Sequence, residues 1–296
     1  MTKTILLTGA TGFLGSHICE QLVEHGYETV ILKRKTSNPW RIDSTLNKIT
    51  VYNIEDIPLS TVFKENNINT VIHTATNYGR KGEKSHEVAN ANVLFPLKIL
   101  ETAIDFNTDT FINTDTVLYE NLNYYALTKK HFVDWTKLYS HQIRIFNLKL
   151  EHVYGEKDGT EKFISMVIKS FLNNIGRIPL TEGKQLRDFI YVDDVASAYL
   201  GIVRISEKFE KKYTEYSVGS GIPISIRQIV ELIKELTHNK TTITDYGALN
   251  YRPNEIMKSV ADLTHIKKDI HWEPKYDLKS GLLKAIEWHK RNWKHD

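Results

Sequence analysis

The 296-residue chain is expected to be an α/β protein: a doubly wound parallel sheet with a smaller, discontinuous α/β domain. Three observations predict this. Short β-branched runs alternate with amphipathic segments through the first half, a glycine-rich turn joins the first run to the first amphipathic segment, and the rhythm breaks after Gly155. Residues 1–155 and 187–219 are assigned to the sheet domain, and residues 156–186 and 220–296 to the smaller one.

Thr4–Thr8, Glu28–Leu32, Thr70–Thr74, Thr110–Asn113 and Arg144–Leu150 read as strands. Phe13–Glu24, Val88–Phe106 and Tyr125–Tyr139 place apolar residues near i, i+3, i+4 and i+7, and so read as crossover helices. After Gly155 come a polar loop, a helix from Lys162 to Asn173 and a turn-rich stretch ending near Lys184. Phe189–Val192, Val195–Ile205 and Thr214–Val218 repeat strand, helix and strand, and are expected to rejoin the sheet. From Ser225 the chain returns to helices and short strands, with no internal repeat or low-complexity tract.

Composition narrows the function. With 41% hydrophobic and 25% charged residues the chain has the balance of a soluble globular protein. No apolar run approaches the ~20 residues of a membrane span, so a cytoplasmic protein without membrane association is expected. A net charge of +3, with the lysines dispersed, does not suggest a nucleic-acid binder. The single cysteine, Cys19, excludes an internal disulfide and reads as a small buried hydrophobe. The histidines show no ligand spacing, so no metal is expected.

Thr8-Gly9-Ala10-Thr11-Gly12-Phe13-Leu14-Gly15 follows a strand and opens a helix, the context that makes a glycine pattern a Rossmann dinucleotide turn. Gly9 permits the tight turn, Gly12 lets backbone approach the pyrophosphate, and Gly15 lets the helix pack close, with its N-terminus donating to phosphate. Where NAD sites usually carry an acidic residue after the second strand, this chain has Lys33-Arg34-Lys35. A guanidinium pairs bidentately with a 2′-phosphate, so NADP(H) is the expected cofactor and Arg34 its main specificity contact.

Tyr125 and Lys129 are one helical turn apart and share a face. An ordinary tyrosine titrates near ~10, so a role in proton transfer at neutral pH needs ~4 kcal/mol of preferential phenolate stabilisation, which a nearby cation supplies. With the glycine turn and Thr114, this Tyr-x-x-x-Lys pattern resembles the extended short-chain dehydrogenase/reductase family of epimerases and dehydratases. The resemblance implies that Tyr125 protonates a developing alkoxide, Lys129 tunes it and holds the nicotinamide ribose, and a hydroxyl orients the carbonyl oxygen. Aligning Val117 with the family's valine favours Thr114 as that hydroxyl, with Thr116 competing on the same strand end. The family's 4,6-dehydratases read Thr-Asp-Glu where this chain reads Thr114-Asp115-Thr116, so a base for dehydration is missing and simple hydride delivery is favoured.

The resemblance extends over the whole chain. The remaining expected cofactor contacts are Asn53, Ile54, Thr74 and Ala75, the last two following His73. Asn92 resembles the family's structural asparagine. Tyr78 and Arg80 lie in the loop expected near the sugar. Arg187-Asp188-Phe189-Ile190-Tyr191-Val192 is similar to the signature of the sugar-nucleotide branch, and Arg252-Pro253 to a second arginine site. The two guanidiniums are thereby expected on a diphosphate. Lys162 and Phe163 fall where the base pocket begins, and His152 reads as a pocket wall. Residues Leu148–Gly155, Lys162–Ile168 and Gln185–Tyr191 look most like the CDP-paratose and CDP-abequose synthases and the 4-ketoreductases that make dTDP-fucose. That likeness implies NADPH-dependent reduction of a CDP- or dTDP-linked 4-keto-6-deoxyhexose for a surface polysaccharide, by a homodimer formed through the two long helices. A 4-epimerase and a non-catalytic NADP-binding regulator are the alternatives.

Overall fold

The computed structural model describes residues 3–292 and divides into two units. The first comprises the chain through Leu150 with Ala196–Ser217 and Lys268–Trp272, and the second Glu151–Val195, Val218–Lys267 and the chain from Glu273. The boundary therefore falls five residues before Gly155, and Arg187–Val195 belongs to the second unit instead of the first.

In chain order the first unit contains β1 (Thr4–Thr8), α1 (Phe13–Glu24), β2 (Glu28–Lys33), β3 (Thr50–Asn53), α2 (Leu59–Asn66), β4 (Thr70–His73), α3 (Ser85–Ala89), α4 (Phe95–Asp105), β5 (Thr110–Thr116), α5 (Tyr124–Tyr139) and β6 (Arg144–Leu150). Seven strands form one sheet in the order β10-β6-β5-β4-β1-β2-β3, where β10 is Tyr213–Val218. The pairs from β3 through β6 are parallel. Ile5, Leu6 and Leu7 are wholly buried, as a central strand covered on both faces requires. One core cluster joins Leu6, Val71, Ile99, Leu100, Phe111, Phe132 and Ile145. Strand order reverses at β1, so the loops beyond β1 and β4 open at the switch point where α/β sheets bind ligands.

The expected helix from Val88 to Phe106 has a π-helical turn, Asn90–Leu94, between α3 and α4. Pro96 has no N–H to offer the Asn92 carbonyl, so the regular bonding is interrupted there. The short edge strand β3 has no counterpart in the sequence reading, because its four residues have little apolar signal and are exposed or half-buried.

The second unit contains β7 (His152–Tyr154), α6 (Phe163–Leu172), β8 (Arg177–Leu180), β9 (Leu186–Tyr191), the first residues of α7 (Val192–Ile205), β11 (Pro223–Ser225), α8 (Ile226–Leu236), β12 (Ile243–Tyr246) and α10 (Leu278–Arg291). The helix α9 (Thr264–Ile270) begins in this unit and ends in the first. β9 does not rejoin the large sheet as expected. It lies between β7 and β11 in a three-stranded sheet, and an apolar run such as Phe189–Val192 does not reveal which sheet it enters. The buried Asp188 carboxylate accepts from the N–H groups of Ser220, Gly221 and Ala261 and from the Ser220 hydroxyl, tying β9 to two loops.

Candidate active site

The dinucleotide turn is shaped by close backbone contact. Gly9 has φ +75°, and a Cβ there would stand 2.6 Å from both Ala75 N and Thr74 Oγ1. A Cβ on Gly15 would fall 2.1 Å from the Gly9 carbonyl oxygen, so α1 packs directly on the turn. Gly12 N–H donates to Gly9 O at 2.9 Å. Thr74 Oγ1 donates to Thr8 O at 2.8 Å, bringing the ends of β1 and β4 together. No side chain caps α1, which leaves its first-turn N–H groups available to an anion. Asn53 supplies a second fit: its Oδ1 is buried with no hydrogen-bond partner, while its Nδ2 donates to Asp56 at 3.0 Å. A buried orphan acceptor next to Ile54 suits an amino-group donor such as adenine.

The cations after β2 behave differently from one another. Lys35 Nζ pairs with Asp56 at 2.5 Å, and that bond holds its ammonium above the ordinary lysine range, so Lys35 is committed within the loop. Lys33 Nζ donates to the Arg34 carbonyl at 3.4 Å. Arg34 is exposed. Arg41, absent from the sequence reading, lies with its guanidinium 4.5 Å from the Trp40 ring centroid and donates to Thr11 O at 3.5 Å. A basic residue eight positions beyond Lys33 was the only sequence sign of it.

Asn123 caps α5 by accepting from Ala126 N–H at 2.9 Å, which fixes the turn that carries Tyr125. Asn92, released by the π turn, accepts from Thr76 Oγ1 and Asn77 N–H and donates to Asn77 O and Thr128 Oγ1. The loop after β4 is thereby fastened to α5. In that loop Tyr78 packs on Tyr125 with ring centroids 4.8 Å apart, and the Arg80 guanidinium stands 5.3 Å from the Tyr78 ring.

The Thr116 side chain lies beside the Tyr125 hydroxyl. Burial, and secondarily Tyr78 and Asp115, push its titration well above the ordinary tyrosine range, while Thr116 and Arg80 act in the opposite sense. Lys129 is fully buried, and burial pulls its ammonium down to about 8, with Asp115 opposing the fall and Lys130 adding to it. Thr114, the favoured hydroxyl in the sequence reading, is placed elsewhere: its Oγ1 is 2.6 Å from the Tyr199 hydroxyl. Both threonines lie within β5, opposite Leu148 and Leu150 of β6, and differ in the neighbour each meets; Thr116 Oγ1 also accepts from Leu118 N–H at 3.3 Å.

The candidate substrate residues of the second unit divide into committed and exposed groups. Arg187 is buried, ion-paired to Glu255, and donates to Leu186 O at 2.8 Å. Arg252 is exposed, and its carbonyl accepts from Glu255 N–H at 3.1 Å, so one short turn carries both Arg252 and the Arg187 partner. His152 packs on Phe189 with centroids 5.6 Å apart and has Nδ1 3.4 Å from Glu151 Oε2. Ser259 Oγ donates to both Glu151 oxygens at 2.8 Å. Lys162 is the residue before α6 and Phe163 its first. No group of three or more His, Cys, Asp or Glu is poised to hold a metal among the described residues.

A strand–glycine turn–helix at the switch point and a Tyr-x-x-x-Lys pair with a buried lysine define a nicotinamide-dependent Rossmann enzyme. Residues 5–219 match the NAD dependent epimerase/dehydratase family, and the chain belongs to that family. It is 36% identical to a CDP-abequose synthase of Salmonella muenchen, covering 97% of this chain and 98% of that protein. It is 25% identical to a dTDP-4-dehydro-6-deoxy-D-allose reductase of Streptomyces bikiniensis, covering 98% and 97%. Among solved structures, a UDP-glucose 4-epimerase of Thermotoga maritima with UDP-glucose superimposes with a TM-score of 0.84 at 22% identity, over 98% of this chain and 100% of that one.

Proposed function

We propose that the protein is an NADPH-dependent reductase of the C4 keto group of a CDP- or dTDP-linked 4-keto-6-deoxyhexose. The observation that carries the reading is the Thr116 side chain beside the Tyr125 hydroxyl, with the buried Lys129 one turn behind it. Where the 4,6-dehydratases carry their acid and base, this chain holds Asp115 and Thr116, so the glutamate position offers no carboxylate. Asp115 instead turns to Lys130 and Asn147. Hydride transfer with proton donation is the chemistry these residues support.

When bound, the dihydronicotinamide supplies hydride to C4. Thr116 donates to the carbonyl oxygen and orients it. Tyr125 passes its proton to that oxygen as negative charge develops, and the Lys129 cation stabilises the phenolate left behind. Lys129 is mostly protonated at neutral pH because its midpoint lies at about 8. Arg34, with Lys33, binds the cofactor 2′-phosphate. Arg187 and Arg252 take the diphosphate, Arg187 sharing its guanidinium with Glu255, while Tyr78, Arg80, His152, Lys162 and Phe163 contact the remaining nucleotide sugar. We assign it to the cytoplasm, as a homodimer acting in deoxysugar synthesis for a surface polysaccharide. Among the described residues no helix is long and apolar enough to cross a membrane.

The test is to mix the protein with NADPH and a panel of CDP- and dTDP-4-keto-6-deoxyglucose and to follow cofactor absorbance. Stoichiometric oxidation with one member, lost in Tyr125→Phe, is the expected result. No oxidation with any member, or turnover that survives Tyr125→Phe, would overturn it. A 4-epimerase would interconvert nucleotide sugars without net oxidation.

A further inference from the structure

A charged pair, its carboxylate buried and its ammonium partly exposed, lies beside Tyr125, Lys129 and Thr116. The Asp115 side chain is fully buried, and Lys130 is the residue after Lys129 on α5. Lys130 Nζ donates to Asp115 Oδ2 at 2.9 Å and also to the Thr116 carbonyl at 2.5 Å. Asn147 Nδ2 donates to the same Asp115 oxygen at 3.4 Å, whereas Asp115 Oδ1 is buried with no partner. A lysine needed only to neutralise a carboxylate has no use for a second bond to the strand backbone. Here that bond ends on the residue whose side chain lies beside Tyr125.

We propose that Lys130 and Asp115 are a positioning pair that clamps the end of β5 onto α5, holding Thr116 Oγ1 against Tyr125 and balancing the charge around Lys129. The inference rests on the reductase reading of the same site. Lys130 sets the position of Thr116 through its carbonyl, and Asp115 keeps that ammonium in place inside the protein. Both charges also act on Lys129, with opposite sign: Asp115 favours its protonated form and Lys130 disfavours it. The other groups around this cluster are Tyr125 on α5, His73 on β4, Tyr199 on α7, Lys149 on β6, and Tyr213 and Glu215 on β10. Glu215 is tied to Lys149 at 2.5 Å and to Asn147 at 3.0 Å, so it does not replace Asp115 as the counter-charge of Lys130.

The experiment compares Lys130→Met, Asp115→Asn, the double variant and Lys130→Arg. Steady-state kinetics are measured across pH, and Lys129 is titrated in the free protein by side-chain NMR of labelled lysine, assigned with Lys129→Met. Lys130→Met should lower kcat by about tenfold to a hundredfold with little change in KM for NADPH, as expected when a reacting group is misplaced. Lys130→Arg, which keeps the charge and a donor, should recover most of that loss. The Lys129 midpoint should rise by about one pH unit in Lys130→Met and fall by about as much in Asp115→Asn, because the two lost charges have opposite signs. The double variant should return the midpoint toward wild type without restoring kcat. A kcat for Lys130→Met within about twofold of wild type, or single variants that move the midpoint in the same direction, would overturn the proposal. Should Lys130→Met not fold, Asp115→Asn and Lys130→Arg still decide the charge effect. A wild-type protein inert toward the whole panel indicts the reductase reading instead, and the lysine titration still reports on the pair.

Discussion

In the proposed reaction, two threonines on one strand end divide the work between structure and chemistry. Thr114 Oγ1 is joined to Tyr199, and the Thr116 side chain lies beside Tyr125. Thr116→Ala removes a donor aimed at the developing alkoxide and should lower kcat by about a hundredfold, the usual cost of losing one such group. Thr114→Val leaves the Tyr199 hydroxyl without its partner and should instead reduce stability by about 1 kcal/mol, read from the denaturant midpoint, with turnover nearly intact. Kinetics and denaturation of the two variants separate the roles, and a large loss of kcat in Thr114→Val alone would return the orienting role to Thr114. The sequence could not make this distinction, because residues two apart on an extended strand share a face. Only the helices packed against them separate the two, Tyr199 on α7 meeting Thr114 and Tyr125 on α5 lying beside Thr116. The glycine turn was legible for the opposite reason. Its function is local: Gly9 and Gly15 meet backbone a few residues away or at the adjacent strand end.

At the scale of elements, α5 carries two faces with different partners. Its inner face buries Ala126, Lys129, Phe132, Val133 and Thr136, and its outer face leaves Tyr124 58%, Trp135 42% and Leu138 67% exposed. The apolar outer residues, with His131 between them, recur at helical spacing, and Leu94 adds a further exposed apolar side chain from the π turn before α4. Such a stripe is best covered by a second copy of the same helix. Trp135→Asp should therefore turn a dimer into a monomer in sedimentation velocity, and a wild-type chain that sediments as a monomer at micromolar concentration would dispose of the idea. The helices were readable in the sequence because their period is a property of the segment itself. The placement of β9 and the Lys130–Asp115 pair were not, since each depends on segments distant in sequence meeting in the fold. The same holds for Arg187. Its motif was visible, but its commitment to Glu255, 68 residues later, was not.

For the molecule as a whole, the site's ionisable groups set how stability depends on pH. His73 is wholly buried among the rings of Phe95, Phe111 and Phe132, with Nδ1 on Thr8 and Nε2 unpaired, and burial holds its titration well below 6.5. The unfolded chain then binds a proton that the folded one does not, so its contribution is present above pH 6.5 and is lost as pH falls through that value. Lys129 acts at the alkaline end. Its ammonium titrates at about 8 in the fold against 10.5 in the unfolded chain, so between those values the unfolded state again holds more protons and stability rises with pH. Below pH 8 the protein carries the full cost of a charged lysine inside its core, which the proposed reaction requires and folding does not. Lys129→Met should thus be inactive yet more stable than wild type at pH 7, by about 2 kcal/mol once relaxation of the site is allowed for. The gain should shrink as pH rises from 8 toward 10.5, where the wild-type lysine is neutral in the fold. Urea denaturation of both proteins at pH 7 and pH 10 measures the difference. A Lys129→Met protein that is less stable at pH 7, or a gain independent of pH, would show that the buried cation is held by compensating interactions and does not burden the fold.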